Sequence, residues 1–540
     1  MANALALSPT TLSSLKAQQW SHVVIGSGMG GLACAALLAR AGHKPLVLEQ
    51  HVAIGGTMRA FTFNGVEFDV GVHAVGAEIW NSNALARQLM DLVTGAQVQW
   101  ARVDAPAHEC ATIEGASMLA FPPGLAARRD YVVHLFPESK EQIEAYFALV
   151  QSEAHKFKVD LARKLAGSYV PAVLMNRFAV DIGFGQDTVE ATLDRLGFER
   201  GSALWKALTF SWGGLGLTPR FASFAVHAAV ASHFAEGAAY PVGGPLALVS
   251  AAAALIQAAG GVLVSECRVE GIEVDSGGRV RGVRVLTAGG GVERIGCDNV
   301  VSAVGAFNTL VRLLPLDTCD LRPVLAQSRA ALSSGRLPIS PAHALTFIAL
   351  RGSAEELDLP KHTTWVLDNK DVAFAFVSFP SARDPSYDAR CPGFSTCVVA
   401  VESNYRDFEP WVSRKDAAYA YLKQDMAKRA LQIVLKRFPG LQDKVHFVEQ
   451  ATPLTAAAYL GAPLASSFGV ACTPERYHRA RWLAPTTDLK GLYLAGQDVA
   501  ASGVVGAAIG GAMAAAACSN KVARHVGLGR LWASLREAKL

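Results

Sequence analysis

Three things are scarce in this sequence, and each scarcity excludes a class of function. The nine cysteines (Cys34, Cys110, Cys267, Cys297, Cys319, Cys391, Cys397, Cys472 and Cys518) are odd in number, scattered, and never spaced C-x-x-C. A disulfide framework or a thiolate metal centre needs repeated short spacings, so free thiols in a reducing compartment are expected, and no metal site. Net charge is also small: 50 basic and 46 acidic residues leave +4. That is too little to argue for a nucleic-acid partner, and no nucleic-acid motif is present. Finally, long runs of Leu, Ile and Phe are missing. The apolar runs Tyr240–Gly261 and Val499–Ser519 are long enough to cross a bilayer, but Ala and Gly dominate them and both follow glycine turns. They read as buried helices of a large soluble domain.

The opening stretch MANALALSPTTLSSLKAQQW has no basic segment leading into an apolar core, so no secretory signal is read. Acid-free and rich in Ser and Thr, it keeps plastid import open beside a cytoplasmic or membrane-peripheral location.

What is present is a core-rich chain of 540 residues, 51% hydrophobic, enough for two or three domains. It begins with a βαβ pattern: HVVIGSG, then MGGLACAALLARAGH, then PLVLEQ. Gly26-x-Gly28-x-x-Gly31 lies between a β-branched strand and an alanine-rich helix. The first glycine permits a sharp turn, the second lets a pyrophosphate approach the backbone, and the third lets helix and strand pack. Met29 and Gly30 open the helix, whose free N–H groups favour phosphate. Glu49 ends the second strand, where an acid accepts hydrogen bonds from an adenosine ribose, with Gln50 beside it.

The dinucleotide reads as FAD rather than NAD. Gly55, Gly56 and Thr57 follow the acid and let the chain pass a pyrophosphate fixed by the first loop. Near the other end, LYLAGQDV supplies Gly496 and Asp498. A new helix then begins with Gly503, Val504, Val505 and Gly506, whose backbone N–H groups can meet a flavin or its ribityl arm. Val269, in the middle strands, completes the expected cofactor contacts. A second dinucleotide fingerprint is missing, since AGGGVE (288–293) joins two strands and opens no helix. An external electron donor would therefore act transiently or through a partner protein.

These segments, with FNGVEFDVGVHAVG, YPVGG, VVSAVGAFNTL, FPSARDPSYDARCPGFST and ATPLTAAAYLGAPLASSFGV, span about residues 22 to 515. Together they resemble the FAD-dependent amine-oxidase-like superfamily that includes phytoene desaturases, and within it the retinol saturase and carotenoid isomerase group. The resemblance implies an α/β fold. A discontinuous Rossmann-like FAD-binding domain (21–80, 238–310 and 485–525) would carry a mixed α+β substrate domain (81–237 and 311–484), with tails at 1–20 and 526–540. It implies a lipophilic polyene substrate and chemistry at a carbon–carbon double bond. Saturation by hydride from reduced flavin is favoured by the saturase-like FPSARDP segment. Redox-neutral isomerisation of a carotenoid or polyunsaturated fatty acid, and desaturation, are the alternatives. A flavin-binding protein without catalysis is a third. An amine oxidase would show an aromatic cage and a lysine near the flavin, neither of which is identified.

In such flavoproteins GVEFDVGVHAVG leads back toward the flavin ring. Asp69 is expected to hold backbone at the turn, Glu67 to share its strand face, and Gly71 to allow close approach. His73 is a candidate polar contact or proton donor at the reactive face. Tyr459 is a second candidate acid, while His478, in a charged stretch, is expected at the surface. Two departures from the saturase pattern stand out: Thr57 and Met58 replace a cysteine pair after the glycines, and Ala74 replaces an aromatic after the histidine. Ala74 would reshape the cavity and widen the choice of substrate beyond retinol. Lastly, HKFKVDLARKLAGSYVPAVLMNRF (155–178) mixes basic residues with Phe157, Leu161, Leu165 and other apolar ones. It reads either as an ordinary surface helix or as a peripheral membrane contact.

Overall fold

The computed structural model describes residues 5–6, 9–103, 107, 109–113, 118–167, 185–287, 290–316, 322–367, 374–480 and 482–525. A parallel sheet runs in the order Leu5–Ala6, Val262–Ser265, Leu46–Leu48, Val23–Ile25, Val300–Ser302, Leu492–Leu494. Apart from the Leu5–Ala6 edge, its strands are three or four residues of mostly Val, Leu and Ile. Strands buried on both faces by crossover helices need such uninterrupted apolar runs. Neighbouring strands in this sheet come from the start, the middle and the end of the chain.

Three helices cover one side of it: Met29–Arg40, Pro245–Ala258 and Gly503–Cys518. The first and last are built of Ala and Gly because their backbones nearly touch. A Cβ on Gly30 would lie 2.5 Å from the Cα of Gly496, and one on Gly511 would collide with the carbonyl of Gly30. Both apolar runs are thus core helices, and among the described residues no helix is long and apolar enough to cross a membrane. The eight described cysteines are free thiols.

A second, seven-stranded sheet has the order Val445–Ala451, Ala342–Arg351, Phe394–Ser403, Ala375–Ser378, Thr363–Val366, Glu109–Thr112, Leu119–Phe121. Its long central strands, Ala342–Arg351 and Phe394–Ser403, pair antiparallel over ten residues. The helix Ala417–Arg437 packs on one face through Ala430, Ile433 and Val434. A separate three-stranded antiparallel sheet, Val269–Val274, Val280–Leu286 and Val292–Gly296, extends from the nucleotide side. Part of the AGGGVE connection lies outside the described residues.

Two expectations change here. The region from Ile79 to Glu236, which reads as helical and irregular, contains three short strands, Trp100–Val103, Glu109–Thr112 and Leu119–Phe121. Each is too short to show periodicity and is specified by its partner, such as Ala238–Pro241 for the first. The basic stretch from His155 is the last part of the helix Lys140–Gly167. Phe157 and Leu165 are buried in the protein, while Lys156 and Lys158 reach Glu153 and Glu78, each at 2.7 Å. Within the described residues its apolar face is therefore covered by protein and not offered to lipid; residues 168–178 lie outside them.

Candidate active site

One cavity of about 2060 Å³ runs from the first glycine loop into an apolar chamber between the two large sheets. At the nucleotide end, Gly26 has φ +92°, a conformation that favours glycine. Gly28 has ordinary extended backbone, and a Cβ placed on it would meet nothing within 4 Å. Its missing side chain therefore leaves space for a ligand and is not compelled by packing. The helices Met29–Arg40 and Gly503–Cys518 both begin at this cavity, and neither has a side-chain cap. Two helix N-termini, with two positive ends, thus face one space, the first N–H of the second being shared with Gln497 Oε1 at 3.4 Å. This is a cradle for a pyrophosphate, and its residues fit FAD.

Most of the expected cofactor contacts are brought together here. Gly26, Gly28, Met29, Gly30, Glu49, Gln50, Gly56, Thr57, Val269, Gly496, Asp498, Gly503, Val504, Val505 and Gly506 all line the cavity. Gly31 and Gly55 stand behind the wall. Gly31 packs against the Gly26 carbonyl, and Gly55 donates its N–H to Ser27 Oγ at 2.9 Å. Glu49 is held by Ser27, whose hydroxyl and N–H donate to Oε2 at 2.5 and 3.1 Å, and by the N–H of His51, which donates to Oε1 at 3.0 Å. Ser27 occupies a free position of the glycine fingerprint, so the motif carries no sign of its part.

Asp498 differs from expectation in what it touches. Its carboxylate accepts from the N–H groups of Ala306 (2.7 Å) and Val470 (2.9 Å). It thereby ties the turns after the strand Val300–Ser302 and before the last strand to the cavity wall. Arg476, buried, donates to the carbonyls of Val470, Gln497 and Asp498 and holds the same corner.

Beyond the nucleotide end lies the chamber, walled by Trp365, Phe374, Phe376, Phe468 and Phe234. His73 lines it, its ring 5.1 Å from that of Phe376 and its Nδ1 sealed without a partner. Burial, with the Arg383 charge and His343 adding, holds the imidazole down at about 3. His73 is therefore neutral near neutrality. His343 is also kept neutral by burial, at about 4, and its Nδ1 meets Ser467 Oγ at 2.7 Å. Glu109, at 6% exposure, pairs with Arg128 at 2.9 Å and receives the indole N–H of Trp365. Tyr459 sits at the rim, 57% exposed and stacked on His51, while its carbonyl accepts from Arg59 at 2.8 Å. His478 is half-buried in the turn Glu475–Arg479.

The acids of GVEFDVGVHAVG have partners that sequence reasoning missed. Asp69 accepts the hydroxyl proton of Tyr240 and does not hold turn backbone. Glu67 is gripped by Arg390 through two donors at 2.9 and 3.1 Å, and Arg390 also reaches Asp384 at 3.0 Å. Arg383, 2% exposed, donates to the carbonyls of His73 (2.5 Å) and Lys361 (2.8 Å) and to Thr363 Oγ1 (2.9 Å). The FPSARDP segment is thus a buckle that fastens the irregular segment carrying His73 to the second sheet. Its sequence marks a resemblance but gives no hint of that contact.

Comparison with known proteins agrees with this geometry. The sequence pattern of flavin-containing amine oxidoreductases matches residues 29–519. All-trans-retinol 13,14-reductase of Macaca fascicularis is 31% identical over 92% of this chain and 85% of its own length. A chloroplastic prolycopene isomerase from an Oncidium hybrid cultivar is 24% identical over 95% and 85%. Among solved structures, cyclohexylamine oxidase from Brevibacterium oxydans superposes with a TM-score of 0.59 at 16% identity, covering 94% of this chain and 99% of that one. That last likeness speaks for the fold alone.

Proposed function

From membership of the flavin-containing amine oxidoreductase family, to which this chain belongs, we propose that it is an FAD-dependent oxidoreductase that reduces a carbon–carbon double bond of a retinoid-like polyene. One observation carries the reading: the glycine cradle and the apolar chamber are a single cavity of about 2060 Å³. A lipophilic chain can lie along the chamber with one end against the dinucleotide. Bound FAD, once reduced, supplies the hydride for one carbon of the double bond.

The protein's own residues do the rest. Gly28, Gly56 and the two uncapped helix ends hold the pyrophosphate, and Glu49, braced by Ser27, receives the ribose. Trp365, Phe374 and Phe376 align the polyene by apolar contact. His73 presents a neutral ring held in place through its own carbonyl by Arg383, which suits a hydrogen-bonding contact at the reactive face. The proton for the second carbon enters from solvent along the open cavity, since the chamber imidazoles are uncharged near neutrality.

Incubating the FAD-loaded, dithionite-reduced protein anaerobically with retinol, carotenoids and polyunsaturated fatty acids tests this. A product heavier by two hydrogens, formed in step with flavin reoxidation, is expected. The similarity to prolycopene isomerases supports a second reading, redox-neutral isomerisation. It would appear in the same experiment as a shifted retention time at unchanged mass, and would replace the first reading.

A further inference from the structure

The buried guanidinium of Arg383 is more than a buckle. An arginine has five N–H donors. Three of them go to neutral oxygens, of His73, Lys361 and Thr363. Two remain uncommitted on a side chain that lines the chamber. Among the described residues no carboxylate forms an ion pair with it. Glu109 is taken by Arg128, and Glu67 and Asp384 by Arg390. Asp69 is engaged by Tyr240 and, like Tyr240, lies behind the chamber wall. Of these acids only Glu109 acts on Arg383 through space, and none uses the donors that remain.

A second observation points the same way. His73 lines the same chamber and its carbonyl is bonded to Arg383; its Nδ1 is sealed from any ligand, so the Nε2 edge of the ring is the one left to face it. We infer that the chamber takes a polyene bearing a carboxylate head group, bound through Arg383 with His73 as a further donor. The inference rests on the polyene reading above and names its substrate class. A carboxylate offers two oxygens that match the guanidinium fork, and it neutralises a cation that is otherwise costly to bury. An alcohol accepts one hydrogen bond and leaves the charge uncompensated.

The test is equilibrium binding to oxidised, FAD-loaded protein, followed by polyene absorbance, with retinoic acid, retinol and methyl retinoate as probes on one skeleton. The acid is expected to bind at least about 10-fold more tightly than either neutral probe, a difference of about 1.4 kcal/mol. Arg383→Gln should abolish the preference, and Arg383→Lys should keep part of it. Should neither variant fold, the wild-type comparison decides alone. Equal or tighter binding of the alcohol or the ester overturns the inference, as does a preference that survives in folded Arg383→Gln. Neutral polyenes that bind and are reduced without preference for the acid leave the oxidoreductase reading standing and sink only this one. No binding of any of the three sinks both.

Discussion

Replacing Asp69 with asparagine removes a buried charge while keeping a side-chain oxygen for Tyr240 to donate to. In the wild type the carboxyl is 8% exposed. Burial raises it from its ordinary 3.8 to about 7; the Tyr240 hydroxyl opposes the change, and Glu67 and Asp384 add to it. The sign follows directly. A carboxyl that holds its proton more tightly when folded stabilises the fold below about pH 4, and that contribution is withdrawn as pH rises to about 7. Three decades of proton affinity at about 1.4 kcal/mol each amount to about 4 kcal/mol. With an unfolding entropy of about 2.1 cal/mol/K per residue, this is roughly 4–8 °C for a cooperative unit of several hundred residues. Scanning fluorimetry of both proteins from pH 4 to 9 reads it. The Tm of Asp69→Asn should gain on the wild type through this window and level off above about pH 8. A difference that stays constant with pH, or that shrinks as pH rises, refutes the account of a buried, reluctant carboxylate.

Other outcomes follow from single residues. Gly28→Val adds a side chain where backbone and space both allow it, so the apoprotein should melt as the wild type does. FAD affinity, read by flavin fluorescence titration, should fall more than about 100-fold as the pyrophosphate path fills. Glu49→Ala strands the Ser27 hydroxyl and the N–H groups of Ser27 and His51. It should cost about 1–3 kcal/mol in denaturant unfolding and weaken FAD about 10-fold or more. Leu464 and Ala465 carry φ of +50° and +55° in the cavity wall. Leu464→Gly should therefore stabilise the protein by up to about 1 kcal/mol, and a lower Tm would show that no strain is held there.

How much of this can be read from the chain depends on how far apart the interacting residues lie. The nucleotide loop is legible because strand, turn, helix and acid fall within thirty residues and each has its own local chemistry. The two Ala/Gly helices are equally legible: their composition already says that something packs too closely to allow larger side chains. Asp498 illustrates the opposite case. It lies where the motif predicts, yet its oxygens serve Ala306 and Val470, partners set by tertiary folding. Arg383 meets His73 across 310 positions, and no periodicity announces such a contact. The basic stretch at His155 fits a core-facing and a lipid-facing helix alike, and only the packing of Phe157 and Leu165 separates them.

The interleaving of the parallel sheet also governs when the protein can come into being. Val300 pairs with Val23 on one side and Leu492 on the other, and the helix beginning at Gly503 completes the phosphate cradle. On the ribosome, the glycine loop emerges hundreds of residues before the strand and helix that close the site around it. Until then its apolar strands have unpaired edges, a state prone to wrong partners. The nascent chain therefore cannot use FAD as a folding template, and cofactor capture must be among the last events of maturation. Chaperone supply and flavin availability during that late interval should set the yield of active protein more than the rate of synthesis does.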